Sequence, residues 1–217
     1  MNKYVAEFVG TLILVFCGTG AIIVNDLSGG VITHVGIAIV FGLVVASMIY
    51  TLGDVSGAHI NPAVTLAFWV AKRLSGREVF PYITSQFLGG AVASALLFVI
   101  LGNHPTMGAT LPAGSSLQSF MLEIVLTFIL MLTIINVSTG AKEKGIIAGA
   151  AIGAVVGLAA MFAGPISGAS MNPARSLGPA LVSGQFDALW VYLAAPVIGS
   201  FGAILCCRCI REEGCCR

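Results

Sequence analysis

SGAHINPA at residues 56–63 returns as SGASMNPA at 167–174, with six of eight positions identical at a spacing of 111 residues. Each copy lies between apolar stretches long enough to cross a bilayer, so the chain reads as a duplicated membrane protein. Asn-Pro opens a helix well. Proline at the first helical position lacks only a donor that would be unpaired anyway, and the preceding Asn can cap while still presenting an amide N–H. Two short helices are therefore predicted to start inside the membrane, one at Asn61-Pro62-Ala63 and one at Asn172-Pro173-Ala174.

A single Asn-Pro-Ala would read as an ordinary capped helix start. The repeat sits inside a longer correspondence: AEFVGTLILV from Ala6 pairs with LEIVLTFILM from Leu122, which sets Glu7 against Glu123 and Thr11 against Thr127. QFLGGAV from Gln86 likewise faces PVIGSFG from Pro196, with Gly89 against Gly199. The repeats are read as about 1–103 and 118–217, together forming one membrane domain over 1–217.

Composition sets the compartment. A mean hydropathy of +1.02 with 9% charged residues leaves too little polar surface for a soluble domain of this length. Spans of about 20 apolar residues fall near 4–24, 32–52, 80–101, 118–138, 146–164 and 188–207. The segments after Asn61 and Asn172 hold only about ten apolar residues each, too few to cross, and read as re-entrant half-helices. Three crossings per half make the repeats antiparallel. The predicted fold is an all-α membrane protein of six transmembrane helices plus two half-helices in an inverted repeat.

Basic residues set the orientation. With the N-terminus inside, Lys3, Lys72, Arg73, Arg77, Lys142, Lys144, Arg208, Arg211 and Arg217 all fall on the cytoplasmic side, nine of the ten Lys and Arg residues. The opposite loops, near 25–31, 102–117 and 183–187, carry only Asp26, Asp187 and His104. Both termini are expected in the cytoplasm, with the cell membrane as the location. The first helix is read as retained, since no small-residue cleavage signal follows it. A net charge of +1 points to no nucleic-acid partner. The tenth basic residue, Arg175, follows the second Asn-Pro-Ala directly. A charge at membrane depth costs roughly 2.5–3.5 kcal/mol on insertion scales, so it is expected to face a pore.

HINPAVT at 59–65, SGASMNPARSLGP at 167–179 and the six-plus-two segment plan resemble the aquaporin family, the major intrinsic proteins, over essentially the whole chain. The resemblance implies a right-handed bundle whose half-helices meet end to end at mid-membrane, with one pore per protomer in a homotetramer. It implies that Glu7 and Glu123 brace the two loops through backbone N–H groups and conduct nothing. The physics of such a site agrees: two helix N-termini place roughly +0.5 charge each at one spot, and the two Asn amides can hold a passing oxygen.

Carried over by distance from the two Asn residues, the family's outer constriction falls on Phe41, Ala160, Ala169 and Arg175. Strict water channels carry His at the Ala160 position, so the constriction is expected to be wider and more apolar here. Residues 162–180 resemble the nodulin-26-like branch, whose members pass glycerol, urea, ammonia or undissociated metalloid acids as well as water. Ser176 stands where glycerol facilitators typically carry Asp, and Tyr192-Leu193 lies between the water and glycerol patterns, so the solute stays open.

Small residues four apart, as in Gly145-Gly149-Gly153-Gly157 and Gly10-Leu14-Gly18, suit close helix approach in lipid. His59 is read as orienting Asn61 or lining the pore. His34 and His104 are read as membrane-edge or loop residues, and Cys17 as a small packed residue off the pore. Cys206, Cys207, Cys209, Cys215 and Cys216 crowd the cytoplasmic end, where stable disulfides are not expected. No nucleophile–base set, paired carboxylate or metal-ligand spacing is present, so the chain is expected to be neither an enzyme nor a cofactor protein.

Three functions fit an inverted repeat with broken helices. The first is a passive pore for water and small neutral solutes such as glycerol, or for metalloid acids, urea or ammonia. The second is a secondary transporter, which would place titratable groups at the midplane. The third is a closed junction, which would need bulky plugs by the loops. Two amides, one Arg and the small Ala160 and Ala169 favour the open pore.

Overall fold

The structure is a computed structural model that describes residues 2–138 and 142–210, the side chains of 142–145 excepted. Lys142, Lys144, Gly145, Arg211, Cys215, Cys216 and Arg217 therefore lie outside the described side chains. Among the described residues eight helices follow in order: α1 Asn2–Leu27, α2 Thr33–Ser56, α3 Pro62–Val70, α4 Gly76–Leu101, α5 Ser116–Val137, α6 Lys142–Ser167, α7 Pro173–Ser183 and α8 Leu189–Ile210. No strand occurs among the described residues. Six of these eight are long and apolar enough to span a membrane, and α3 and α7 are not. The architecture is the expected six-plus-two plan, with most helices running a few residues past the apolar spans read from sequence.

Small residues decide which helices touch. α1 lies on α4, α5 on α8, and α2 on α6. A Cβ at Gly89 would come within 3.1 Å of the Leu12 N atom in α1, and one at Gly199 within 3.0 Å of the Phe128 N atom in α5. Gly42 meets Gly153 O and Gly157 in the same way at the α2–α6 crossing, where an added Cβ would lie 2.8 Å from that carbonyl. Backbones this close need glycine at the contact. In the Gly10-Leu14-Gly18 stripe, Gly10 makes room for Ile60 and Gly18 for the ring of Phe41. These glycines thus shape the central site as well as the bundle.

The half-helices are gripped from the outside. α3 packs on α8 and α4, and α7 on α4, α8 and α1. Pro81, Pro165, Pro179 and Pro196 sit inside helices, a pattern that membrane bundles tolerate because neighbouring groups satisfy the freed carbonyls. At one end of the bundle Lys3 Nζ pairs with Glu78 Oε2 at 2.7 Å, and Arg208 Nη2 donates to Val70 O at 3.1 Å. These bonds gather the starts of α1 and α4 and the ends of α3 and α8 on one side.

Candidate functional site: a central cavity between two half-helices

Each half-helix is started by the same device. Asn61 is extended (φ −157°) and its Oδ1 accepts from Ala63 N at 2.9 Å. Asn172 (φ −148°) accepts from Ala174 N at 3.0 Å and Arg175 N at 3.3 Å. Pro62 and Pro173 follow as the first helical residues. With Oδ1 spent on its own cap, each side-chain amide reaches the opposite loop. Asn61 Nδ2 donates to Met171 O and Asn172 Nδ2 to Ile60 O, both at 2.8 Å. Two short helices are thereby locked N-terminus to N-terminus. One hydrogen of each amide is used in the lock, which leaves the other for the cavity that both Asn residues line.

The loops leading into these caps take an unusual path. Gly57, Ala58 and Ile60 all have positive φ (85°, 46° and 42°), and Gly168, Ala169 and Met171 repeat it (82°, 43° and 54°). Non-glycine residues hold that conformation only where their surroundings impose it. A buried carboxylate does so in each loop. Glu7 accepts from Ser56 Oγ (2.7 Å), His59 N (2.9 Å), Ile60 N (2.7 Å) and Gln86 Nε2 (2.7 Å). Glu123 accepts from Ser167 Oγ, Ser170 N and Met171 N, each at 2.8 Å. Neither Glu is exposed to solvent at all, and neither lines the cavity. Tyr82 and Tyr192 complete the parallel by donating to Ser56 O and Ser167 O.

All four residues expected at the constriction border one cavity: Phe41, Ala160, Ala169 and Arg175, together with His59, Asn61 and Asn172. Arg175 is the only charged side chain among the described residues bordering it. Its guanidinium carbon lies 5.2 Å from the centroid of the Phe41 ring, in cation–π range, and its Nη1 donates to Gly108 O at 2.8 Å. Ala160 and Ala169 add only methyl groups to the same lining. Further along, the wall is apolar, with Val45, Ile49, Leu130, Ile134, Ile152 and Val156 contributing.

His59 lines the cavity and meets Asn61 only through Thr65. Thr65 Oγ1 donates to Asn61 O and accepts from Gln86 Nε2, so the His59 Nδ1 at 3.1 Å must be the donor of that pair. Nε2 of the neutral ring is left as an acceptor. The imidazole stacks on Phe68 at 4.7 Å. In the second loop Ser170 takes the place of His59, and a hydroxyl relay runs from Thr110 to Ser176 and Ser170 and on to Asn172 O.

Sequence reading missed two features. The first is the 104–110 loop, which bends in to supply Gly108 O to Arg175; no residue pattern announces a backbone acceptor. The second is the burial of His104, expected as a membrane-edge or loop residue: it does lie in a loop, but 92% buried. His34 does lie exposed at the start of α2, with its Nε2 donating to Met161 O at 2.6 Å. Cys17 borders a separate external groove with Phe16, Leu97 and Ile100, and takes no part in the central cavity. No cluster of metal-ligating side chains occurs among the described residues.

Paired half-helices capped by Asn and joined at a cavity, within six spanning helices, define a polytopic membrane protein of the major intrinsic protein class. The sequence model of that family matches residues 1–206, and the chain belongs to it. It is 46% identical to Aquaporin NIP1-1 of Oryza sativa subsp. japonica over 212 residues, which covers 97% of this chain and 75% of the relative. It is also 46% identical to Nodulin-26 of Glycine max over 201 residues, covering 92% and 74% of the two chains. Among solved structures, the aquaglyceroporin from Plasmodium falciparum superposes with a TM-score of 0.82 at 26% identity, covering 93% of each chain.

Proposed function

We propose that this chain is a passive transmembrane channel for water and small neutral solutes such as glycerol, and not an enzyme. One observation carries the reading: two Asn-capped helix N-termini and one arginine border a single cavity whose remaining wall is mostly apolar. A passing oxygen accepts from the free amide hydrogens of Asn61 and Asn172, while the helix dipoles and Arg175 repel cations. Phe41, Ala160, Ala169 and Arg175 form the selectivity filter. Pro62, Ala63, Pro173 and Ala174 hold the two Asn residues in place, and Glu7 and Glu123 brace their loops. His59 offers an acceptor at the pore wall. Ala160 leaves room beside the arginine for a polyol, and this favours a solute range beyond water.

The duplication frames the site as one domain of two inverted repeats, about 1–103 and 118–217. In support, the three positive-φ positions and the glutamate bonds recur in both loops. The bias of basic residues supports cytoplasmic termini, and the cell membrane is the proposed location, where osmotic flux does its work. A homotetramer with one pore per protomer is the proposed assembly, supported by the family resemblance; chemical cross-linking in native membranes tests it.

The functional test is stopped-flow light scattering on proteoliposomes under parallel water and glycerol gradients. Both permeabilities should exceed those of empty vesicles, and glycerol flux at the vesicle background would remove the polyol from the reading.

A further inference from the structure

The Arg175 side chain is aimed by a loop carbonyl. Nη1 donates to Gly108 O, and Nε meets no acceptor among the described residues. The direction of the fork therefore depends on where residues 104–110 hold Gly108. That loop takes an uncommon shape, with positive φ at both Met107 (49°) and Gly108 (72°), which a methionine keeps only under outside constraint. Part of the constraint is packing: Met107 is buried against Ile23 and Leu97, and a Cβ on Gly108 would lie 2.8 Å from the Cβ of Thr19.

The polar part is His104. Its Nδ1 faces Met107 N at 3.2 Å and Thr106 N at 3.4 Å, and its Nε2 lies 3.3 Å from Oδ2 of Asp26 at the end of α1. Backbone N–H groups can only donate, so Nδ1 carries the lone pair and the ring proton on Nε2 points at the Asp26 carboxylate. Asp26 thus selects the tautomer that lets Nδ1 accept. The turn then closes through Ala109 N donating to Thr106 O at 2.8 Å.

We propose that His104, oriented by Asp26, is a positioning residue for Arg175: it ties the end of α1 to the 106–108 turn and so sets the Gly108 carbonyl that aims the guanidinium into the pore. This rests on the reading of Arg175 as the charged group of the selectivity filter.

The test measures the ratio of glycerol to water permeability in proteoliposomes of the full chain. Arg175→Ala should shift the ratio, and His104→Ala should shift it at least twofold in the same direction. His104→Asn should recover it only in part, because Asn Oδ1 accepts the same two N–H groups in an Asx turn but lacks the bond to Asp26. In the Arg175→Ala background, His104→Ala should add nothing. A proportional loss of both permeabilities in His104→Ala, or a shift that adds to that of Arg175→Ala, overturns the positioning role. Should His104→Ala fail to fold, Asp26→Ala carries the test from a half-exposed site, and an unchanged ratio there overturns the proposal. If Arg175→Ala itself leaves the ratio alone, the filter reading falls; if it shifts the ratio while neither His104→Ala nor Asp26→Ala does, only the positioning role falls.

Discussion

The two re-entrant loops share one backbone and differ in four side chains, of which the apolar exchange of Ile60 for Met171 changes least. Both enter through a serine bonded to a buried glutamate, pass three positive-φ residues, and end in an Asn cap followed by Pro. Position three of the half-helix is Val64 in the first loop and Arg175 in the second. The residue two before the cap is His59 in one and Ser170 in the other, and the hydroxyl four residues after the Asn is Thr65 or Ser176. The shared groups are those that hold backbone N–H donors, and the differing ones face the cavity or its polar relay. Duplication thus supplied a symmetric frame, while an asymmetric pore was built on it with a neutral imidazole at one loop and a fixed cation at the other.

Breaking the shared frame should have the largest effect. Glu123→Ala leaves the Ser170 and Met171 N–H groups and the Ser167 hydroxyl without their acceptor, at about 1–3 kcal/mol for each buried donor. Glu7→Ala also takes one acceptor from the Gln86 amide, which keeps Thr65 Oγ1, and should be the worse of the two. Thermal unfolding in detergent should show both falling well below the parent chain, with the Gln replacements milder. Unchanged melting with full water flux would deny these residues their bracing role.

Making the second loop copy the first comes next. Arg175→Val removes the fixed charge and leaves the caps alone. At an effective dielectric constant of about 20, a unit charge about 8 Å away opposes a cation by roughly 2 kcal/mol, about thirtyfold in rate. Cation leak across voltage-clamped bilayers should rise by that order; no rise would mean that the helix dipoles alone form the barrier.

Adding bulk at the constriction sharpens the contrast less. Ala160→His should cut glycerol flux severalfold and water flux much less, as read by stopped flow; equal loss of both would contradict the wide-filter reading. Smaller still is the effect of a probe at the second loop: Ala169→Cys should let an externally added mercurial inhibit water flux reversibly. The parent chain, whose Cys17 borders an outer groove, should resist it. Rapid block of the parent would show that a native thiol faces the pore.

Most of the frame was legible because it is local. Asn-Pro-Ala states a helix start, apolar length states a crossing, and the Glu7/Glu123 correspondence marks two equivalent acids. Glycine spacing marked Gly153 and Gly157 for close approach, but their partner, Gly42 of α2, was not in the pattern. The seat of Arg175 was illegible, because it is a backbone carbonyl brought in by a loop whose shape depends on contacts from α1. His104 read only as an edge or loop residue for the same reason: the acceptor role of its Nδ1 exists only once the 106–108 turn has folded over it. The crossed Asn bonds were half legible, since sequence placed both amides at mid-membrane without showing that each spends one hydrogen on the opposite loop.

The central claim is that the crossed Asn caps and Arg175 pass neutral molecules while refusing charge. Proteoliposomes carrying the parent chain, given an osmotic gradient and then an imposed potential, test it in one preparation. Water permeability should rise well above that of protein-free vesicles, with no protein-dependent proton or cation current. A current that scales with the water flux would contradict the account.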